Sequence, residues 1–222
     1  MNRFVGFTFA LLVAGLGMFG IGCGTEGSGD AAGEEHAATN ESAGEMSAAD
    51  MQKRGEYLVL TLGCHDCHST KKMTPEGIPV PDEAMALAGH PAGEALPEYD
   101  PGLVAPGKWI LGNQSFTAYV GPWGVSYAAN LTPDPTGIGG WTEEQFFKAM
   151  REGKYKGMDN TRMLLPPMPW PGYAKLPDED IKALYAYLMS LKPIENAVPA
   201  AMPPAGAPVA GAGGEEGAAS GA

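Results

Sequence analysis

Cys64-His65-Asp66-Cys67-His68 places two thiols three residues apart, with an imidazole directly after the second. At that spacing both sulfurs can reach along one edge of a flat macrocycle, and the imidazole falls beneath its centre. This is the attachment signature of c-type haem, and neutral imidazole is a good ligand for haem iron. The reading assigns Cys64 and Cys67 to covalent attachment of one haem c and His68 to one axial position. Three other chemistries use the same residue types. Structural zinc needs four Cys or His ligands, so Cys64, Cys67 and His68 would need His65 or distant His90 as the fourth. A thioredoxin-type redox pair needs a βαβ setting, and a plain disulfide leaves the rest of the pattern unexplained. His65 reads as an exposed spacer, His36 as a linker residue, and His90, which precedes Pro91, as a surface residue.

A haem iron has a second axial position, and 12 Met are available to fill it. Most read as core or linker residues, because the flexible thioether packs anywhere. Met168 stands apart in Pro166-Pro167-Met168-Pro169-Trp170, where prolines on both sides fix φ and deny helix. Such a rigid extended loop could hold one sulfur at a set distance from iron. Met163, in the less constrained run Thr161-Arg162-Met163-Leu164, is the rival. A thioether in the sixth position suits an electron carrier. An open sixth position would suit a haem enzyme or gas sensor, and a binding module with a structural haem is a third reading.

The third cysteine, Cys23, lies after a short N-terminal pattern with Arg3, an apolar stretch from Phe4 to about Ile21, and small residues. That pattern reads as an export signal over residues 1–22. Gly20-Ile21-Gly22-Cys23 resembles a bacterial lipoprotein signal, in which the Cys is lipidated and becomes the first mature residue. An uncleaved membrane anchor is the alternative, since the stretch is just long enough to span. Either reading puts the chain in the bacterial cell envelope, membrane-anchored on the periplasmic, extracytoplasmic side.

The formal net charge of −12 excludes a nucleic-acid footprint as the default. Much of that acidity lies in the flanks: Gly24 to Asp50 holds seven acids and no Lys or Arg, whereas Met51 to Asn196 holds 17 acids against 13 bases. Residues 23–48 have almost no large apolar side chain and read as a flexible acidic tether. Residues 197–222, rich in Ala, Gly and Pro, read as a disordered tail. No internal repeat is evident, so 49–196 is one domain.

Three helices must position the chemistry. The first covers roughly 49–62, with Tyr57, Leu58 and Leu62 as an apolar stripe. The second covers about 142–152, where Thr142 and Gln145 form a capping box and Gly153 stops the helix. The third covers about 177–191, where Ile181, Leu184, Tyr185, Leu188 and Leu191 recur at helical spacing before Pro193. Residues 69–129 are rich in Pro and Gly without periodicity, and a loop that long has either a function or hidden structure.

Helix, CxxCH, loop, Pro-flanked Met and closing helix together resemble the class I cytochromes c. The closer likeness is to the cytochrome c domains of membrane alcohol and gluconate dehydrogenases. It rests on Asn130-Leu131-Thr132-Pro133-Asp134, Gly139-Gly140-Trp141-Thr142-Glu143-Glu144, Met168-Pro169-Trp170 and Leu176-Pro177-Asp178-Glu179-Asp180. The resemblance implies a mostly α fold with crossed first and last helices beside the haem, His68 proximal and Met168 distal. It departs in the long irregular insert at 69–129 and in having one CxxCH where those subunits carry three. The implied function is a membrane-anchored monohaem carrier, not an enzyme, shuttling single electrons in a respiratory chain. Its donor would be a membrane quinol-oxidising complex or a dehydrogenase, and its acceptor an oxidase or another cytochrome. A subunit of a larger oxidoreductase complex is the alternative.

Overall fold

A computed structural model describes residues 46–204. The export signal, Cys23, most of the tether and the tail beyond 204 lie outside the described residues. Helix α1 (Ala48–Thr61) starts at Ser47, whose hydroxyl accepts the Asp50 amide, and buries Gly55, Leu58 and Val59. Gly63, at φ 72°, turns the chain directly into the one-turn helix α2 (Cys64–His68). That left-handed conformation favours glycine, so the junction fixes where the CxxCH turn begins.

The segment 69–129 is built, not irregular. Strands β1 (Lys71–Met73) and β2 (Pro79–Pro81) form one antiparallel pair. Strands β3 (Leu111–Gly112), β4 (Ala118–Gly121) and β5 (Gly124–Tyr127) form a second antiparallel sheet in the order β3-β4-β5. Val104, Val120 and Val125 give this part its own small core. Strands of two to four residues are too short to show alternation in the sequence. Met202 pairs with Val125 through two backbone hydrogen bonds of 2.8 and 3.0 Å, so residues expected in the disordered tail continue the sheet. Gly124, at φ 94°, lies under that strand with no room for a Cβ.

Helix α3 (Glu143–Glu152) has both halves of its capping box and ends at Gly153. The one-turn helix α4 (Trp170–Tyr173) follows the Pro166–Pro169 run, and α5 (Asp178–Ser190) opens with Asp178, Glu179 and Asp180 at its positive end. The main core joins Leu58 and Val59 of α1, Phe146 and Met150 of α3, and Ile181, Leu184 and Leu188 of α5, with Leu87 and Ile138 from the loops. Helices α1 and α5 cross in contact at Gly55, whose missing Cβ would run into the Ala183 carbonyl and Tyr187 Cβ. Beside the crossing, the Arg54 guanidinium forks onto the buried Asp180 carboxylate at 2.8 and 3.1 Å. Helix covers only about 35% of the described residues, so the mostly α expectation is corrected. The shortfall is the insert, whose Gly- and Pro-rich sequence forms hairpins and turns.

Candidate haem site

The α2 turn presents Cys64, Cys67 and His68, each half-buried, and both thiols are free. Burial pushes the Cys64 thiol up to about 11, so it stays protonated at neutral pH. Tyr119 of β4 places its hydroxyl 3.5 Å from the Cys67 sulfur. On the Cys64 side, the Tyr173 hydroxyl donates to the Leu62 carbonyl at 2.8 Å, tying α4 to the end of α1. Burial pushes this phenol up to about 12.

His68 Nδ1 lies 2.7 Å from the Ala129 carbonyl. A carbonyl only accepts, so Nδ1 carries the proton and Nε2 keeps its lone pair. Burial also lowers the His68 pKa, which favours the neutral ring. The turn is fastened from outside as well. Gly89 N donates to the His68 carbonyl at 2.8 Å. The Lys71 ammonium donates to the carbonyls of Ser69, Asp66 and His65 at 2.7, 2.9 and 3.0 Å, filling the open C-terminal end of α2.

Two histidine expectations are corrected. His65 is half-buried, its Nδ1 2.9 Å from the hydroxyl of buried Ser69. His90 is fully buried at 0% exposure. Its Nδ1 lies 2.9 Å from the Thr117 hydroxyl, and its Nε2 lies 3.3 Å from the Glu94 carbonyl. Its backbone carbonyl accepts from Asn196. A histidine among Gly, Pro and Ala carries no sign in sequence that both nitrogens will find partners within the protein.

Met168 is half-buried against the main core, in a turn closed by its own amide on the Leu165 carbonyl at 3.3 Å. The Pro166–Pro167 peptide is cis, and the Met168–Leu165 bond shows a turn where an extended run was expected. Met163 is 40% exposed and pairs through its backbone with Lys154. Trp170 packs its indole over Gly153 at the end of α3.

The donor set fits a haem c. Two thiols and an imidazole with a free Nε2 come from one turn, and a half-buried thioether comes from a Pro-fixed loop. Among the described residues no three His, Cys, Asp or Glu side chains gather as they would around an ion. A macrocycle held from one edge therefore suits this turn better than a tetrahedral site. Sequence reasoning missed Ala129, Lys71 and Tyr119. Ala129 and Tyr119 act from more than 50 residues away, and Ala129 acts through a backbone carbonyl that has no sequence signature.

Residues 123–192 match the family model for cytochrome c, a span that takes in Met168 and begins after the CxxCH turn. Over that span, about a third of its length, the chain is similar to a cytochrome c domain, and such a domain implies covalently bound haem c. Its similarity is to the cytochrome c subunits of dehydrogenases. Over 138 residues it is 36% identical to the gluconate 2-dehydrogenase cytochrome c subunit of Pantoea cypripedii, covering 62% of this chain and 22% of that one. Over 148 residues it is 39% identical to the fructose dehydrogenase cytochrome subunit of Gluconobacter japonicus, covering 66% and 22%. The cytochrome c subunit of alcohol dehydrogenase (quinone) from Gluconobacter oxydans is 34% identical over 144 residues, covering 64% and 22%. The chain thus spans about a fifth of the length of these relatives.

Proposed function

We propose that this chain is a single-haem electron carrier anchored to a cell-envelope membrane on its periplasmic, extracytoplasmic side. The observation that carries the reading is the α2 turn, where free Cys64 and Cys67 precede His68, an imidazole whose Nδ1 is committed to Ala129. Cys64 and Cys67 would form the thioether links, and His68 Nε2 and the Met168 sulfur would hold the iron. When bound, the haem supplies an iron that takes up and releases one electron by cycling between ferric and ferrous states. The protein's part is to hold both axial positions, keep water away and set the potential; His/Met ligation raises it. With both positions filled there is no vacancy for a substrate, which favours a carrier over an enzyme or sensor.

The relatives are named as subunits of gluconate, fructose and alcohol dehydrogenases, which supports a membrane dehydrogenase or quinol-oxidising complex as donor. An oxidase or another cytochrome would be the acceptor. Cys23 carries the lipid, and the acidic run behind it is the tether. Among the described residues no helix is long and apolar enough to cross a membrane, so anchoring falls to residues outside them.

One measurement tests the reading: the intact mass of the chain purified from membranes after acid–acetone extraction. The expected mass is that of the chain from Cys23 onward plus one haem and the lipid. Haem released into the solvent overturns the attachment, a mass with a second haem overturns the count, and retained residues 1–22 overturn the role of Cys23.

A further inference from the structure

Two hydrogen bonds leave one short stretch of chain in opposite directions. The Ala129 carbonyl accepts from His68 Nδ1 at 2.7 Å. Three residues earlier, the Ser126 hydroxyl donates to the Pro166 carbonyl at 2.6 Å. Pro166 lies inside the turn that the Met168 amide closes on Leu165, so fixing its carbonyl fixes the turn that presents the Met168 sulfur. Ser126 is 7% exposed, and its oxygen is oriented in turn by Trp123 Nε1, which donates to it at 3.2 Å. The Trp123 ring lies over Gly121, where a Cβ would have no room. The sequence Gly121-Pro122-Trp123-Gly124-Val125-Ser126 therefore folds as a hairpin turn that aims one hydroxyl at the Met168 loop.

We propose that Ser126, oriented by Trp123, is the positioning residue for the distal ligand, so that one stretch, 126–129, sets where both axial side chains stand. The proposal rests on the assignment of His68 and Met168 as ligands. A hydroxyl with a single proton gives it to Pro166 and receives one from Trp123, so the relay has one direction and no spare member. Without the Ser126 donor, the Pro166 carbonyl loses the bond that ties its turn to β5. The turn then gains freedom to swing the sulfur away.

The test uses the full haem-loaded chain with Ser126→Ala, Ser126→Thr and Trp123→Phe. Three readouts are followed: the near-infrared band of Met-to-iron ligation against pH, the rate of carbon monoxide binding by the reduced protein, and the midpoint potential. Ser126→Ala is expected to shift the balance toward the open loop by about fivefold, the factor that one lost hydrogen bond of about 1 kcal/mol carries. The band is then lost at lower pH, carbon monoxide binds about fivefold faster and the potential falls, while the haem stays covalently attached. Ser126→Thr keeps the hydroxyl and restores all three, and Trp123→Phe shifts them in the same direction by less. Unchanged readouts in Ser126→Ala overturn the proposal. If that variant gives no haem-loaded protein, Trp123→Phe decides alone, and no shift there overturns it. A wild type that lacks the near-infrared band sinks the Met168 assignment instead.

Discussion

Met163 and Met168 are five residues apart, yet their surroundings differ in kind. Met163 is 40% exposed, and its backbone is committed to a bridge with Lys154. Met168 is half-buried against the core, behind a turn with prolines at 166, 167 and 169. Less conformational freedom remains to be lost when such a pre-set loop presents its sulfur. Met168→Ala should open the sixth position, lower the midpoint potential and admit carbon monoxide to the reduced protein, whereas Met163→Ala should leave all three near wild type. If the two variants exchange behaviour, the ligand is Met163. The residues proposed to touch the haem were legible because Cys64-x-x-Cys67-His68 and the Pro-flanked Met are local strings whose chemistry is carried by side chains. Their supports were not legible. Ser126 reaches Pro166, and Ala129 reaches His68, through chain separations that no local pattern encodes. His90 misleads for a related reason: besides the nearby Glu94 carbonyl, its partners Thr117 and Asn196 come from 27 and 106 residues away.

The elements differ in legibility according to the strength of their periodicity. Helices α1, α3 and α5 announce themselves through caps and apolar spacing, and their ends fall within two residues of expectation. The strands of the insert are two to four residues long, and their pairing depends on turns and on Met202, so period-2 alternation never develops. The crossing of α1 with α5 gives the element scale its sharpest test. In Gly55→Ala the new methyl would overlap the Ala183 carbonyl and Tyr187 Cβ, both set on the facing helix backbone. Ala gains about 1 kcal/mol in helix propensity, but overpacking a contact made by backbone costs about 1–3 kcal/mol or more. With a backbone contact at the upper end of that range the clash should win, and chemical denaturation should show a net loss of up to about 2 kcal/mol. The bond from Tyr173 on α4 to Leu62 at the end of α1 is a second test. Tyr173→Phe should cost about 1 kcal/mol. Because burial raises the phenol from 10.0 to about 12, the neutral form is favoured by folding. Its contribution is full below pH 10 and is lost as pH rises through about 12. The difference between wild type and Tyr173→Phe should therefore be constant at neutral pH and narrow above pH 10; a difference that widens there contradicts the assignment.

At the scale of the whole molecule, the insert and the C-terminal segment bridged to it at Met202 form one scaffold against which the helical part is set. Asn196 accepts from the Ala92 amide and donates to the carbonyls of Ala88 and His90, binding the start of the final segment to the insert. Six residues on, Met202 exchanges two backbone hydrogen bonds with Val125, the neighbour of Ser126. The sequence placed the end of the domain at 196 because Ala, Gly and Pro dominate beyond it. Composition could not show that a strand needs little side-chain burial when its backbone completes a sheet edge. A chain ending after Asn196 should lose both bonds and leave Val125, 2% exposed in the intact protein, open along one edge. Two bonds at about 1 kcal/mol each give a loss of about 2 kcal/mol, or about 4–8 °C in Tm for a domain of this size. A chain ending after Pro204 keeps both bonds and should melt with the full-length protein. The same truncation after Asn196 frees the strand that holds Ser126, so the near-infrared Met band should vanish at lower pH in that chain and stay unchanged in the longer one. Equal melting of the two chains would show that β5 holds without Met202, and would leave Trp123 and Pro166 as the contacts that fix it.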